Sequence, residues 1–229
     1  MDIFTLELEA VLAEAGCPLC RADGIDQRHW MQTFIREGHR DTGVRRRFLA
    51  SGGFCAAHAD LFLEMARGQE KLVVIGLVYR SLVEENLSRL QALTKPRRGR
   101  RSKSPLWQGT CPACLERERS AERKSYFFCE VLVGGASRER YARSNGLCAG
   151  HLATVLEQAA ERKMPRVYEF LLNDWIERLT LLRSGLSEFD RKRDYRFKHE
   201  PRGEEQQAPI EALRRYSGSG GATSSSESG

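Results

Sequence analysis

Apolar residues recur at helical spacing along this chain. A first amphipathic helix is predicted over 2–14, stopped by Gly16, and a second ends at about Arg36. Two longer apolar stripes follow, over 70–93 and 164–182, and we attribute both to core packing. We expect an all-α protein in which these two helices form the seam between its halves. The stripe residues are Leu72, Ile75, Tyr79, Leu82, Val83, Asn86 and Leu90 in one, and Val167, Phe170, Leu171, Trp175, Leu179 and Leu182 in the other.

A Cys-Pro-x-Cys pair followed by a Cys-x-x-His pair occurs twice in the same order. The copies are offset by 94 residues at the first pair (111 minus 17) and by 93 at the second (148 minus 55). Neighbouring positions repeat as well: Arg45, Arg47, Ser51 and Gly53 correspond to Arg138, Arg140, Ser144 and Gly146. Repetition of ligands and background together indicates an internal duplication, and predicts two tandem, pseudo-symmetric helical modules.

Composition divides the chain further. The segment between the modules is rich in Pro, Gly and basic residues, and the last residues are rich in Gly and Ser. The predicted layout is a first Cys3His module over 1–93, a basic linker over 94–110, a second Cys3His module over 111–188, a C-terminal arm over 189–216 with a short helix from about Pro209, and a disordered tail over 217–229.

Each copy of the motif supplies three thiolates and one imidazole, the set that a closed tetrahedral zinc site requires. We expect two structural zinc ions per chain, each closed within its own module. The predicted ligands are Cys17, Cys20, Cys55 and His58 for one ion and Cys111, Cys114, Cys148 and His151 for the other. The exchanged pairing, in which the first Cys-x-x-Cys joins the second Cys-x-x-His, stays open.

Dithiol exchange and iron–sulfur ligation are the alternative chemistries for these cysteines. Cys-x-x-Cys at a helix N-terminus also serves dithiol exchange, and Cys3His ligation can hold an iron–sulfur cluster, but no strand pattern precedes Cys17 or Cys111 as in redox folds. The unpaired Cys129 is interpreted as a buried apolar thiol. His29, His39 and His199 are assigned surface or capping roles, because no nucleophile, base and orienting group can be assembled around them.

The net charge of +6 resides in the linker, whose six cations are accompanied by no acid. The rest of the chain sums to zero, which argues against a broad nucleic-acid surface. We interpret the linker as a solvated spacer, with nucleic-acid binding as the alternative. Its candidate contacts are Lys95, Arg97, Arg98, Arg100, Arg101 and Lys103.

A cytoplasmic location is expected. The N-terminus carries acidic residues where a signal peptide carries basic ones, and the longest apolar run, Val73 to Tyr79, is too short to span a membrane. Reduced thiols in the cytoplasm favour metal binding over disulfides.

The duplicated pairs, together with the stretch from Arg191 to Glu200, resemble an uncharacterised bacterial family known by a domain-of-unknown-function label. The resemblance covers most of residues 1–216 and implies a helical, zinc-stabilised cytoplasmic protein without an assigned activity. It also implies that Arg193 and Tyr195-Arg196-Phe197 belong to a docking arm. We therefore expect a non-enzymatic binding or adaptor protein with an unknown protein partner, although the sequence does not decide whether the chain has enzymatic activity.

Overall fold

Local signals set the helix boundaries. Proline occupies the first position of three helices, at Pro18, Pro112 and Pro165, where its missing N–H is not needed. Asp41 caps a fourth helix by accepting a hydrogen bond from the Val44 amide at 2.8 Å, a role that aspartate favours. Cys55 and Cys148 each stand in extended backbone immediately before a helix. The Cys-x-x-Cys and Cys-x-x-His pairs of both motifs therefore lie at helix N-termini.

The computed structural model describes residues 3–12, 14–94, 109–197 and 199–218. Within these ranges the chain forms α-helices and short 3₁₀ turns and has no strand, so the predicted all-α class is confirmed. The 3₁₀ turns are Gly38–Arg40, Tyr195–Phe197 and Glu204–Gln207. The helices are α1 (Ile3–Val11), α2 (Pro18–Arg36), α3 (Thr42–Ala50), α4 (Ala56–Gly68), α5 (Leu72–Thr94), α6 (Pro112–Val131), α7 (Gly135–Ala142), α8 (Ala149–Glu161), α9 (Pro165–Arg193) and α10 (Ala208–Ser217).

Two compact units share the chain. Unit 1 combines the residues up to Gly24 with those from Ala121 onward, and unit 2 is Ile25–Ser120. Helices α2 and α6 each contribute their two ends to different units. The predicted modules, 1–93 and 111–188, therefore each supply residues to both units.

Each unit has its own core. In unit 1, Leu8 of α1 and Leu12 just after it are buried with Phe128, Tyr141 and Leu171. In unit 2, Phe34 of α2 packs edge to face on Phe62 of α4, with centroids 5.5 Å apart, and Phe48 of α3 packs edge to face on Tyr79 of α5. Such aromatic pairs add about 1 kcal/mol each beyond the area they bury.

The apolar stripes of α9 and α5 differ in how far their residues are buried. Val167, Leu171, Trp175 and Leu182 of α9 are buried as predicted. In α5 the buried positions are Val74, Val78 and Leu82, whereas Leu72, Val83 and Leu90 are each more than 40% exposed, so the core assignment of those three is wrong. The predicted seam between the two helices stays a prediction.

The C-terminal arm begins later than predicted, because residues 189–193 continue α9. From Asp194 onward the chain folds back on α9, and Arg191 donates to Glu188 within α9 and to Glu200 across the bend. The predicted helix near Pro209 is confirmed as α10. The tail from residue 219 lies outside the described residues.

Candidate metal centres

The first group of potential ligands, cluster 1, consists of Cys17, Cys20, Cys148 and His151. Cys17 precedes α2 and Cys20 lies in its first turn, while Cys148 caps α8 and His151 lies in the first turn of that helix. Pairs three residues apart at a helix start face the same way, so each helix offers two ligands to one point. All four ligand atoms lie within 4.8 Å of one another.

The distances within cluster 1 match a zinc coordination shell. His151 Nδ1 lies 3.5, 3.3 and 3.3 Å from the sulfurs of Cys17, Cys20 and Cys148, and the Cys20 and Cys148 sulfurs are 3.7 Å apart. A tetrahedron with bonds of about 2.3 Å to sulfur and about 2.0 Å to nitrogen has edges of about 3.8 Å between sulfurs and about 3.5 Å between sulfur and nitrogen. The side chains are thus arranged around a point that fits a four-coordinate ion.

Cluster 2 repeats this arrangement with Cys55, His58, Cys111 and Cys114. Here His58 Nδ1 lies 3.1, 3.7 and 3.4 Å from the three sulfurs, in that order, and the sulfurs of Cys55 and Cys114 are 3.7 Å apart. Cys55 is exposed in cluster 2, whereas both helix-capping positions of cluster 1, Cys17 and Cys148, are buried.

The predicted pairing within each module is wrong. The structure brings the first Cys-x-x-Cys to the second Cys-x-x-His, and the second Cys-x-x-Cys to the first Cys-x-x-His. All eight predicted ligands do fall into two Cys3His groups, but in the exchanged combination that the sequence left open. Unit 1 holds the whole of cluster 1 and unit 2 the whole of cluster 2.

Backbone contacts fix this exchanged pairing. The Gly16 amide, next to Cys17, donates to Asn145 Oδ1 at 2.7 Å, just before Cys148. The Gly109 amide, just before Cys111, donates to the Ala50 carbonyl at 3.2 Å. A Cβ at Gly109 would lie 3.0 Å from the Ser51 nitrogen, so a larger residue would push the two segments apart. These contacts place each Cys-x-x-Cys pair beside the turn that precedes the other copy's Cys-x-x-His pair.

Those two turns are built alike. The hydroxyls of Ser51 and Ser144 donate to the carbonyls of Phe48 and Tyr141, at 3.0 and 2.7 Å. Glycine with positive φ follows in both turns: φ is +105° at Gly53 and +74° at Gly146. The shared hydrogen bonds explain why serine and glycine recur at this position before each Cys-x-x-His.

The turn in unit 1 has additional support from α9. Arg178 donates to the carbonyls of Ser144 and Ala142 at 2.7 and 3.1 Å, and Trp175 Nε1 donates to the Leu147 carbonyl at 3.0 Å. The Leu147 amide donates to the Tyr141 hydroxyl at 3.1 Å. These contacts hold the residue before Cys148 in place from both sides.

Asp23 and Lys124 form a charged pair next to His151 in cluster 1. His151 Nε2 donates to Asp23 Oδ2 at 3.3 Å, and Lys124 Nζ donates to Asp23 Oδ1 at 3.0 Å. The Lys124 side chain is 3% exposed. A carboxylate on the far side of a ligating imidazole fixes its tautomer and raises its basicity. Lys124 in turn places a positive charge beside this carboxylate.

Cluster 2 has a neutral counterpart. His58 Nε2 donates to Gln27 Oε1 at 3.0 Å, so the imidazole is oriented in the same way but without a carboxylate. Asp23 and Gln27 stand four residues apart on α2, which places them on the same side of that helix. One helix thus supplies the orienting group to both imidazoles, in different units and with different charge.

The electrostatics of the clusters favour a cation at their centres. Burial, and then the hydrogen bond with Cys55, raises the pKa of Cys114 to about 12. Hydrogen bonds with Cys148 and Cys20 raise the pKa of Cys17, while those from Cys17 and Cys20 lower the pKa of Cys148. Neighbouring sulfurs therefore resist ionising together unless a positive charge lies among them.

The surroundings of His151 also favour positive charge, as the pKa of its imidazole shows. Burial alone would lower its pKa, but the hydrogen bonds to Asp23 and to the Cys148 sulfur raise the pKa of His151 to about 11. Since positive charge is stabilised at this imidazole, its surroundings suit a divalent cation bound at Nδ1.

The remaining predicted residues lie elsewhere. Cys129 is fully buried and burial raises its pKa to about 11, as expected for an apolar thiol. His39 is buried with its Nδ1 3.1 Å from the Phe34 carbonyl, a capping role, and His29 and His199 are exposed. The linker cations Lys95, Arg97, Arg98, Arg100, Arg101 and Lys103 lie outside the described residues, so nucleic-acid binding through them stays a prediction.

Sequence reasoning missed the groups that support the ligands. Asp23 follows Cys20 by three residues on the same helix, so its position on the ligand side could have been inferred from spacing. Nothing in the sequence around Lys124, Arg178 or Trp175 indicates that these residues support the predicted ligands. Each meets Asp23 or the turn before Cys148 only when the chain folds.

Within the described ranges, no helix is long and apolar enough to cross a membrane. No curated protein and no solved structure matches the chain. The model of a family of unknown function, DUF6062, matches residues 1–221, which include all eight cluster residues. The chain belongs to this family.

Proposed function

We propose that the protein binds two zinc ions, one in cluster 1 and one in cluster 2, and that both ions are structural. The observation that carries this proposal is the agreement between the sulfur and nitrogen distances and the edges of a zinc tetrahedron. Thiolates and imidazole are the ligands of closed zinc sites, and zinc accepts the tetrahedral geometry without penalty.

Four protein ligands leave zinc no position for water or substrate, which supports a structural role over hydrolysis. In each cluster the ion would join two helix starts that are distant in sequence. A structural zinc contributes on the order of 10 kcal/mol of apparent folding free energy at neutral pH, comparable to the whole stability of a domain. Each ion would therefore hold its unit together.

On this basis we infer that the chain acts as a cytoplasmic binding or adaptor protein rather than as an enzyme. The inference predicts a stoichiometric protein partner that co-elutes with the chain purified from its native cells. Co-elution should be lost when both metals are removed. Elution of the chain alone under gentle conditions would contradict the adaptor role but not the metal sites.

Elemental analysis and a visible spectrum of untagged protein test the metal proposal. Two zinc ions per chain and a colourless solution are expected. The Cys129→Ala variant is the matched control and should keep both ions, because Cys129 belongs to neither cluster. One zinc or none overturns the proposal, and iron with visible absorbance would establish the redox alternative instead.

A further inference from the structure

A cavity of about 640 Å³ lies in unit 1 beside cluster 1. Its walls come from the loop before α2, the turn before α8 and one side of α10, and they include Gly16, Cys17, Asn145, Cys148, Gln207 and Arg215. This volume lies within the range of about 300–1,000 Å³ that small-molecule sites occupy. Two cluster 1 ligands, Cys17 and Cys148, line the cavity on one side, whereas its α10 side carries no predicted metal ligand.

Arg215 gives the cavity its chemistry. The residue is 6% exposed, and its Nη2 donates to Glu211 Oε1 at 2.6 Å. Its Nε and Nη1 are buried and find no acceptor among the described residues. A buried donor without a partner is destabilising, most of all in a charged group, so native structures supply an acceptor or fill the position with an ordered ligand.

The free donors specify the partner. A guanidinium has donors only, and its strongest hydrogen bonds are those to carboxylate or phosphate oxygens. Besides Arg214 and Arg215, one carboxylate, Glu211, and two cysteines of cluster 1 line the cavity, so its wall is not broadly basic. Recognition must therefore come from directed hydrogen bonds at Nε and Nη1 rather than from net positive potential.

We propose that this cavity binds a small organic anion whose carboxylate or phosphate oxygens accept hydrogen bonds from Nε and Nη1 of Arg215. A bare inorganic ion would fill only part of 640 Å³, which favours an organic ligand. Arg215 belongs to neither cluster, so the part assigned to it is distinct from metal coordination.

The end of α10 joins this cavity to cluster 1. Gly218 has φ +77°, and a Cβ there would lie 3.2 Å from the Cys20 sulfur and 3.5 Å from that of Cys148. Tyr216 packs edge to face on Trp175, with centroids 6.0 Å apart. A ligand on Arg215 would therefore stabilise α10 where that helix covers the cluster.

Thermal unfolding of the full-length, metal-loaded protein tests the proposal. Inorganic phosphate, glycerol phosphate and succinate are compared with sodium chloride at matched ionic strength, so that phosphate and carboxylate chemistry are distinguished. At concentrations well above Kd, at least one organic anion should raise Tm by about 3 °C or more. No rise above chloride for any of the three would overturn the proposal.

Two variants locate the effect. Arg215→Met keeps the apolar stem and should abolish the Tm rise, whereas Arg166→Met removes an exposed arginine of α9 that does not line the cavity and should retain it. A rise that survives Arg215→Met contradicts the proposal. If that variant does not fold, Arg215→Lys keeps the charge without the guanidinium and should weaken binding at least about tenfold, roughly one charge-assisted hydrogen bond.

Metal content is measured on every sample. Two zinc ions without an anion effect would end the cavity proposal alone, while an anion effect in protein lacking zinc would end the zinc proposal alone.

Discussion

Cys17 and His151 stand 134 positions apart in the chain, yet the Cys17 sulfur lies 3.5 Å from His151 Nδ1. The Cys20 and Cys148 sulfurs, 128 positions apart, are separated by 3.7 Å. Two halves that carry the same motif have thus exchanged their ligand pairs. Each cluster joins the start of a helix from one half to the start of a helix from the other.

Selective thiol exposure should reveal this exchange. In Cys148→Ala we expect Cys17 and Cys20 to become reactive toward alkylation, because their shared ion loses a ligand, while Cys111 and Cys114 stay protected. Peptide mass spectrometry of the labelled protein measures each thiol. The mirror variant Cys55→Ala should expose Cys111 and Cys114 instead. Labelling of Cys111 and Cys114 in Cys148→Ala would favour pairing within each half.

Fragments cut between the halves should remain associated. A protease site inserted between Arg98 and Gly99 divides the chain so that each fragment contributes residues to both units. We expect the two fragments to co-elute in size-exclusion chromatography after cleavage and to separate when a chelator or denaturant is added. Separation after cleavage alone, in native buffer, would contradict the exchanged arrangement.

The two clusters should lose metal in order. Cys55 of cluster 2 is exposed and Gln27 is neutral, whereas cluster 1 is more buried and His151 donates to Asp23. We expect a chelator to remove the first ion from cluster 2, detected as earlier alkylation of Cys55 and Cys114 than of Cys20. Simultaneous alkylation of all three thiols would show that burial and the carboxylate do not set the order.

Asp23→Asn should weaken metal binding at cluster 1 by about 10–100-fold, because the imidazole loses the carboxylate that orients it. The substitution also leaves Lys124 without its 3.0 Å contact to a carboxylate. Asp23→Asn combined with Lys124→Met separates these effects, and zinc affinity measured by competition with a chromophoric chelator compares the two variants. A weakened cluster 1 in both variants supports a role for the carboxylate at the imidazole, and recovery in the double variant would assign the loss to Lys124.

A pair of glycine substitutions in unit 2 should have opposite effects. Gly53 has φ +105°, and a Cβ there would lie 3.2 Å from Leu82 Cδ2, so Gly53→Ala should lower the free energy of unfolding by about 1–3 kcal/mol. Gly76 is exposed inside α5 with no atom within 4 Å of the added Cβ. Gly76→Ala should raise the free energy of unfolding by about 0.5–1 kcal/mol. Urea dependence of hydrogen exchange in α3, α4 and α5 measures both, and equal effects would contradict the strained turn.

Much of the local structure could be predicted from sequence because its causes are local. Proline at Pro18 and Pro112, the Asp41 cap and the glycines before Cys55 act within a few residues of themselves, and each appears where the pattern indicates. The ligand types and their spacing follow from the same short range. The end of α9 was missed because its polar last turns are held by the returning arm rather than by an apolar stripe.

Sequence by itself therefore determined the helical class, the four ligand pairs and the composition of two Cys3His groups. Tertiary structure decided which of these pairs come together. Closing the gap between Cys20 and Cys148 rather than that between Cys20 and Cys55, 128 positions against 35 (55 minus 20), costs only about 1 kcal/mol more in loop entropy. A hydrogen bond contributes about 0.5–1.5 kcal/mol net, so the bonds of the Gly16 and Gly109 amides are of the size needed to offset that difference. The contacts of Asp23, Lys124 and Arg215 were likewise decided by tertiary structure, because burial and partners arise only when distant helices come together.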